Sequence, residues 1–236
     1  MKILANDGIS ESGKKKLEDN GFEVDTTKVA QEQLSNYIKE NNVNAILVRS
    51  ATKVRQDLID SLNGQLKLIG RGGVGMDNID VEYAQSKGIH VINTPAASSR
   101  SVAELVFAHL FGMVRYLFDS NQKMPLEGDS KFKELKKSYE AGIELKGKTL
   151  GIIGFGRIGQ EVARMAYGLG MKIVAADHSP STVELSIPFA DGQSISTKVE
   201  TTNIAAVLKE ADFLTIHISG AGQTLIGKKE IESMKD

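Results

Sequence analysis

The sequence predicts an α/β protein made of two parallel-sheet domains, and three observations carry that expectation. Short apolar runs alternate with helix-length segments. The spacing between runs is too long for hairpins, so the strands are expected to pair in parallel with helices on both faces. A second series of the same kind starts near residue 149, and 236 residues exceed the usual single-domain size.

The first series opens with KILA (2–5), a helix opened by Ser10 and closed by Gly21, the strand FEVD, and a helix from Gln31 to Asn41. It continues through AILVRS (45–50), a helix from Arg55 to Leu62, KLIGRG (67–72), a short helix after Asp80, and HVINTP (90–95). Residues 1–97 therefore read as a small α/β sandwich. Next, SSRSVAELVFAHLFGMVRYLF (98–118) leaves little polar face, which predicts a long, mostly buried helix. Such a helix suits an interface with another domain or subunit, and an ordinary core helix has the same signature. Residues 124–149, with Pro125, Gly128 and several lysines, read as a surface connector. In the second domain, 98–236, the strand ending at Ile153 is followed by a helix to Leu169, strand KIVAAD (172–177), helix Ile204 to Glu210, strand FLTIHI (213–218) and a short GKKEIESM helix. Asp191-Gly192, between two β-rich runs, predicts a hairpin excursion between Ser179 and Asn203.

Composition narrows the function. Lys and Arg number 29 against 30 Asp and Glu, a net charge of −1 that supplies no broad basic field for nucleic acid or an anionic membrane. Any anion must be held locally. Zero cysteines exclude a disulfide scaffold, a cysteine-based zinc site and a thiol nucleophile, and suit a reducing cytoplasm. No stretch approaches the ~18 apolar residues of a membrane helix, and the N-terminus is too short an apolar run for a signal segment. A cytoplasmic protein is expected.

The sharpest motif is Gly154-Phe155-Gly156-Arg157-Ile158-Gly159, which follows the apolar strand and opens a helix. That is the setting of a dinucleotide fingerprint. Gly154 allows the tight turn, Gly156 lets the backbone approach a pyrophosphate, and Gly159 lets the helix pack closely. The N–H groups at the helix start, including those of Arg157 and Ile158, meet the phosphates without a charged side chain. Eighteen positions after Gly159, Asp177 stands at a strand end, where a carboxylate accepts hydrogen bonds from ribose hydroxyls. No Arg or Lys flanks it to accept a 2′-phosphate, so NAD is expected over NADP. Methyltransferases also pair a glycine-rich turn with an acidic strand end, but usually lack the Arg157-Ile158-Gly159 helix start. Arg49 lies at the carboxyl edge of the first sheet, where ligands bind in such folds, and a guanidinium suits a two-oxygen anion.

Taken together, RSATKV (49–54), RGGVGMDNIDVEYAQSKGIHVINTP (71–95), SVAEL (101–105) and GKTLGIIGFGRIG (147–159) resemble the D-2-hydroxyacid dehydrogenase family over nearly the whole chain, least across 179–203. The resemblance implies a flavodoxin-like substrate domain followed by a Rossmann-type NAD domain, with the active site in the cleft between them. It also implies a homodimer through helix 98–118. Arg49 and Ser50 match the pair facing the substrate phosphate or carboxylate, and Gly73-Val74-Gly75 the loop whose N–H groups hold the carboxylate, with Val74 also near the nicotinamide. Ser98 stands where relatives often have asparagine, which shifts phosphate binding toward Arg49 and Arg100. His217 and Ile218, in the triplet ending at Ser219, match the stretch lining the cofactor ribose.

The implied reaction is hydride transfer between nicotinamide and C2 of a 2-hydroxy acid, with 3-phosphoglycerate and 3-phosphohydroxypyruvate of serine biosynthesis as the leading pair. A glyoxylate-, hydroxypyruvate- or lactate-type acid is the alternative, and an NAD-sensing, corepressor-like binding protein a third reading. The family's histidine, glutamate and arginine triad belongs to segments that normally follow the last strand. The chain is therefore expected to be a fragment or a natural truncation, inactive alone.

Overall fold

Each apolar run read in residues 1–97 forms a strand of one sheet. The computed structural model describes residues 1–179, 181–218, 222 and 224–235. Its first strands are β1 (Lys2–Ala5), β2 (Glu23–Asp25), β3 (Ala45–Val48), β4 (Leu68–Arg71) and β5 (His90–Asn93), separated by α1 (Glu11–Asp19), α2 (Leu34–Glu40), α3 (Gln56–Ser61) and α4 (Val81–Ser86). All pairings are parallel, in the order β2-β1-β3-β4-β5, which is the flavodoxin-like arrangement. The Ser10 hydroxyl caps α1 by accepting from the Gly13 N–H at 3.2 Å. Leu4, Ile46 and Ile69 of the sheet pack with Leu34, Ile38 and Leu58 of the helices in one buried cluster. The register pairs Ala5 with Leu47, Val48 with Arg71 and Arg71 with Asn93. The strands therefore end along one edge, where Asp7, Arg49, Gly72 and Thr94 emerge.

The chain divides into two compact units, Met1–Ser98 and Ser99–Asp236. The second contains α5 (Ser99–Val114), α6 (Leu117–Ser138), β6 (Thr149–Ile153), α7 (Arg157–Gly168), β7 (Lys172–Ala176), β8 (Thr182–Pro188), β9 (Ser194–Thr202), α8 (Ile204–Glu210), β10 (Phe213–Ile216) and α9 (Lys228–Glu232). Its sheet order is β10-β6-β7-β9-β8, with every pair parallel except β8–β9. Counted from β6, the parallel strands β9-β7-β6-β10 run 3-2-1-4, the order of a Rossmann-type half plus the first strand past the switch point. Leu150, Ile152, Phe155, Val162 and Ala166 join Ala103, Phe107 and Leu110 of α5 in its core.

Three expectations need correction. The helix expected over 98–118 stops at Val114, because Tyr116 adopts a left-handed conformation (φ 56°) and α6 starts anew at Leu117. It is buried on one stripe only, Ala103, Phe107, Leu110 and Val114, while Leu105 and Met113 are more than half exposed. The connector expected over 124–149 is helical to Ser138, with Pro125 inside α6 and a kink at Lys131. Pro125 and Gly128 were outweighed by good helix formers and by i,i+4 pairs Asp119–Lys123 and Glu127–Lys131. The hairpin forms as expected, with Gly192 at φ 87° in its turn. It is no excursion, however, because β9 also pairs with β7 and so supplies the sheet's third strand.

Candidate cofactor and substrate sites

Register assembles the cofactor site. Ile153 lies opposite both Ala176 and Ile216, so the residues following β6, β7 and β10, namely Gly154, Asp177 and His217, fall in one row at the carboxyl edge. Backbone bonds extend the row: Gly154 N–H donates to Ala176 O at 2.8 Å and His217 N–H to Ile153 O at 2.7 Å. At Gly154 (φ 92°) a Cβ would come within 2.5 Å of Ile218 Cγ2 and 3.0 Å of the His217 carbonyl, so only glycine fits between these strands. A Cβ at Gly159 would overlap the Gly154 carbonyl oxygen, which is why α7 can start this close to β6. Gly156 differs from both. Nothing stands within 4 Å of its missing Cβ, and Gly156 and Arg157 are exposed while Ile158 is half-buried. Glycine there keeps the approach to the N-terminus of α7 bare, the cradle that a pyrophosphate needs.

Asp177 is exposed, and its carboxylate accepts from Phe155 N–H at 2.8 Å and His178 N–H at 2.6 Å. These bonds fix its orientation, and each oxygen retains acceptor capacity. Burial holds His217 below the ordinary histidine range, and its Nε2 lies 3.0 Å from the Thr215 hydroxyl. A neutral ring beside a hydroxyl adds no charge to the ribose side. Ser219, last of the His217 triplet, lies outside the described residues. The turn, its strand-end carboxylate and the open helix start fit a dinucleotide.

In the first unit, a cavity of about 700 Å³ opens at the carboxyl edge of the sheet, lined by Asp7, Ser10, Arg49, Arg71, Asn93 and Thr94 among others. Arg49 is clamped at its backbone: its N–H donates to the Asp7 carboxylate at 2.6 Å, and its carbonyl accepts from Asn78 Nδ2 at 2.9 Å. Desolvation would raise the Asp7 carboxyl, but the Thr52 hydroxyl and the N–H groups of Arg49, Thr52 and Ala51 outweigh it and hold the group below the usual carboxylate range. Asp7 is thus an organiser of the edge. Of the substrate residues expected from the sequence, Arg49 lines the cavity, whereas Ser50, Gly73, Val74 and Gly75 are not part of its wall. The Gly73–Gly75 loop adjoins it. Its carbonyls are tied down, Gly73 O by the Thr94 N–H and Val74 O by Asn93 Nδ2, while Val74 itself is 40% exposed. Ser98 is half-buried at the end of the unit. Arg100 pairs with Glu104 and Glu161 and so is not a free cation. Sequence reasoning passed over Arg71, Asn93 and Thr94, because their place on the edge depends on register.

The family model for the D-isomer specific 2-hydroxyacid dehydrogenase, catalytic domain, matches residues 3–215. The chain belongs to this family. It is similar to hydroxypyruvate reductase of Thermotoga maritima, 41% identical over 91% of the chain and 64% of the relative. It also resembles D-3-phosphoglycerate dehydrogenase of Methanocaldococcus jannaschii, 40% identical over 100% of the chain and 42% of that protein. The chain thus spans roughly two thirds to two fifths of the length of these relatives. Among solved structures, an acyclic imino acid reductase in complex with NADPH and D-Arg superposes with a TM-score of 0.78 at 26% identity, covering 100% of this chain and 71% of that one. An NAD+-bound 3-phosphoglycerate dehydrogenase of Entamoeba histolytica gives 0.71 at 27%, covering 100% and 68%. No single helix among the described residues is long and apolar enough to cross a membrane.

Proposed function

We propose that this chain supplies the substrate unit and the first part of the cofactor unit of an NAD-dependent D-2-hydroxyacid dehydrogenase acting on 3-phosphoglycerate and 3-phosphohydroxypyruvate. The observation that carries the cofactor half is the row Gly154, Asp177 and His217 beside the bare start of α7. Gly154, Gly156, Arg157, Ile158 and Gly159 would hold the pyrophosphate, Asp177 the ribose hydroxyls, and His217 and Ile218 the neighbouring ribose side. When bound, the nicotinamide supplies hydride exchange with C2 of the acid. NAD is proposed over NADP because His178, the next residue, is the only basic side chain adjoining Asp177 in sequence, and no lysine or arginine flanks it.

On the substrate side, Arg49 is proposed to bind the phosphate, with Ser50 and Ser98 as hydroxyl donors and the Gly73-Val74-Gly75 loop presenting N–H groups to the carboxylate, those of Val74 and Gly75, since Gly73 N–H donates to the Arg71 carbonyl at 3.0 Å. The relatives' names favour two substrates, a phosphorylated acid and hydroxypyruvate, and Arg49 favours the first. Within the 236 residues given, the histidines do not supply a proton carrier: His90 begins β5, His109 is on the exposed side of α5, His178 follows Asp177 of the cofactor row, and His217 belongs to that row. The chain is therefore proposed not to turn over by itself. A homodimer is proposed through α5 and α6, where Leu105, Met113, Leu117, Phe118 and Leu126 are all at least half exposed. Absence of cysteine supports a reducing, cytoplasmic setting.

Ligand-observed NMR on the whole chain tests the substrate reading. 3-Phosphoglycerate should bind about tenfold more tightly than D-lactate or D-glycerate, from one charge-assisted contact to Arg49. Equal binding of all three acids would return the choice to a hydroxypyruvate- or lactate-type substrate.

A further inference from the structure

The passage from β7 to β9 departs from the Rossmann pattern. Parallel neighbours need a crossover, and a Rossmann half ordinarily supplies it with a helix. Here the chain runs back along β8, antiparallel to β9, and returns as β9 beside β7, with no helix between β7 and β9 among the described residues. The residues after Asp177 therefore lead into an edge strand.

Thr201 holds the start of that strand. It lies opposite Ala175 of β7 and is 7% exposed. Its hydroxyl accepts from the Ser181 N–H at 2.8 Å and donates to the Ser181 carbonyl at 3.1 Å, while its own N–H donates to the same carbonyl at 2.8 Å. Further along β8, Leu185 is buried in one cluster with Val162 and Ala166 of α7, and Arg164 Nε donates to the Ser186 carbonyl at 2.7 Å. The strand is thus fastened both to β9 and to the helix whose start faces the proposed pyrophosphate. At the other end, the Asp177 carboxylate is tied to the N–H groups of Phe155 and His178. Ser181 follows Asp177 by only four positions, so the chain between these two anchors has little slack.

We propose that Thr201 is a positioning residue for cofactor choice: by fastening Ser181 to β9 it keeps the Asp177 carboxylate turned to the ribose hydroxyls and keeps closed the space that a 2′-phosphate needs. The inference rests on the cofactor reading above and adds a residue outside the glycine turn and its acidic partner. A 2′-phosphate beside Asp177 brings two anions together, which is tolerated only where the carboxylate swings away or a cation moves in. The clamp opposes both, since His178, the basic side chain adjoining Asp177, belongs to the same short segment.

The test titrates NADH and NADPH into the whole chain as wild type, Thr201→Val, Thr201→Ser and a variant with one glycine inserted between His178 and Ser179. Thr201→Val keeps the shape of the side chain and removes both hydroxyl bonds. It should weaken NADH and leave NADPH unchanged or tighter, so that the preference for NADH falls by about tenfold, as the loss of one to two hydrogen bonds implies. Thr201→Ser returns the hydroxyl and should return the preference. The inserted glycine adds slack with Thr201 in place, should narrow the preference in the same way, and decides the matter if Thr201→Val does not fold. Wild type without saturable NADH binding, or with equal affinity for the two cofactors, would remove the cofactor reading and the clamp together. A wild-type preference that survives in Thr201→Val or in the glycine insertion, or a parallel loss of both cofactors, would overturn the clamp alone.

Discussion

At the scale of single residues, what an arginine or an aspartate can offer a ligand depends on the partners it already has. Arg100 was legible as a cation beside the substrate block, yet Glu104 and Glu161 neutralise it. Arg71 was passed over, yet its Nε is buried with no hydrogen-bond partner among the described residues. Sequence cannot separate these cases, because ion pairing across α5 and α7 or within a loop is set by packing. Asp177 was legible, since its distance from the glycine turn follows from strand and helix lengths. Its bonds to Phe155 and His178 hold the carboxylate in place, as the proposed contact with a ribose requires. Replacing it tests cofactor choice: Asp177→Ala should weaken NADH by about tenfold or more, as hydrogen bonds to a charged group contribute roughly 1.5–3 kcal/mol each. NADPH should lose less, since a repulsion disappears along with the acceptor. Parallel losses for the two cofactors in a fluorescence titration would show that Asp177 only shapes the turn.

At the scale of elements, periodicity and caps located the strands and most helices, and the failures share one cause. Pro125 and Gly128 were weighed as breakers, although α6 absorbs both between i,i+4 ion pairs. The all-round apolarity of 98–118 was read as burial, but α5 buries a single stripe and leaves the rest outside. Local pattern gives the element and does not say what covers it. If a second copy covers that face, Phe118→Glu, at a residue 76% exposed, should convert a dimer to a monomer in sedimentation without lowering the melting temperature. A monomeric wild type would contradict this. The strand-turn-helix element makes a separate prediction. Gly159→Ala sets a methyl against the Gly154 carbonyl and should destabilise by about 1–3 kcal/mol through overpacking, read by thermal melting. Gly156→Ala meets open space and should melt like wild type, while weakening NADH. Equal melting of the two variants would mean that α7 can back away from β6.

At the scale of the whole molecule, net charge near neutrality and ligand sites at strand ends belong together. With no broad field, each anion must be met by backbone N–H groups or by individual arginines, and the carboxyl edges of two parallel sheets provide both. The sequence made these edges legible because alternating strands and helices predict parallel sheets, in which all the strands end along one edge. The part of β9 in the sheet was not, since an antiparallel hairpin gave no sign that its second strand would also pair with β7. The central claim is that the second unit binds NAD through Gly154–Gly159 and Asp177. Titrating NADH and then NADPH into the wild-type chain, with nicotinamide fluorescence as the signal, tests it most directly. The account predicts saturable NADH binding, displaced by NAD+ and about tenfold or more tighter than NADPH. Absence of saturable NADH binding, or equal affinity for the two cofactors, would contradict it.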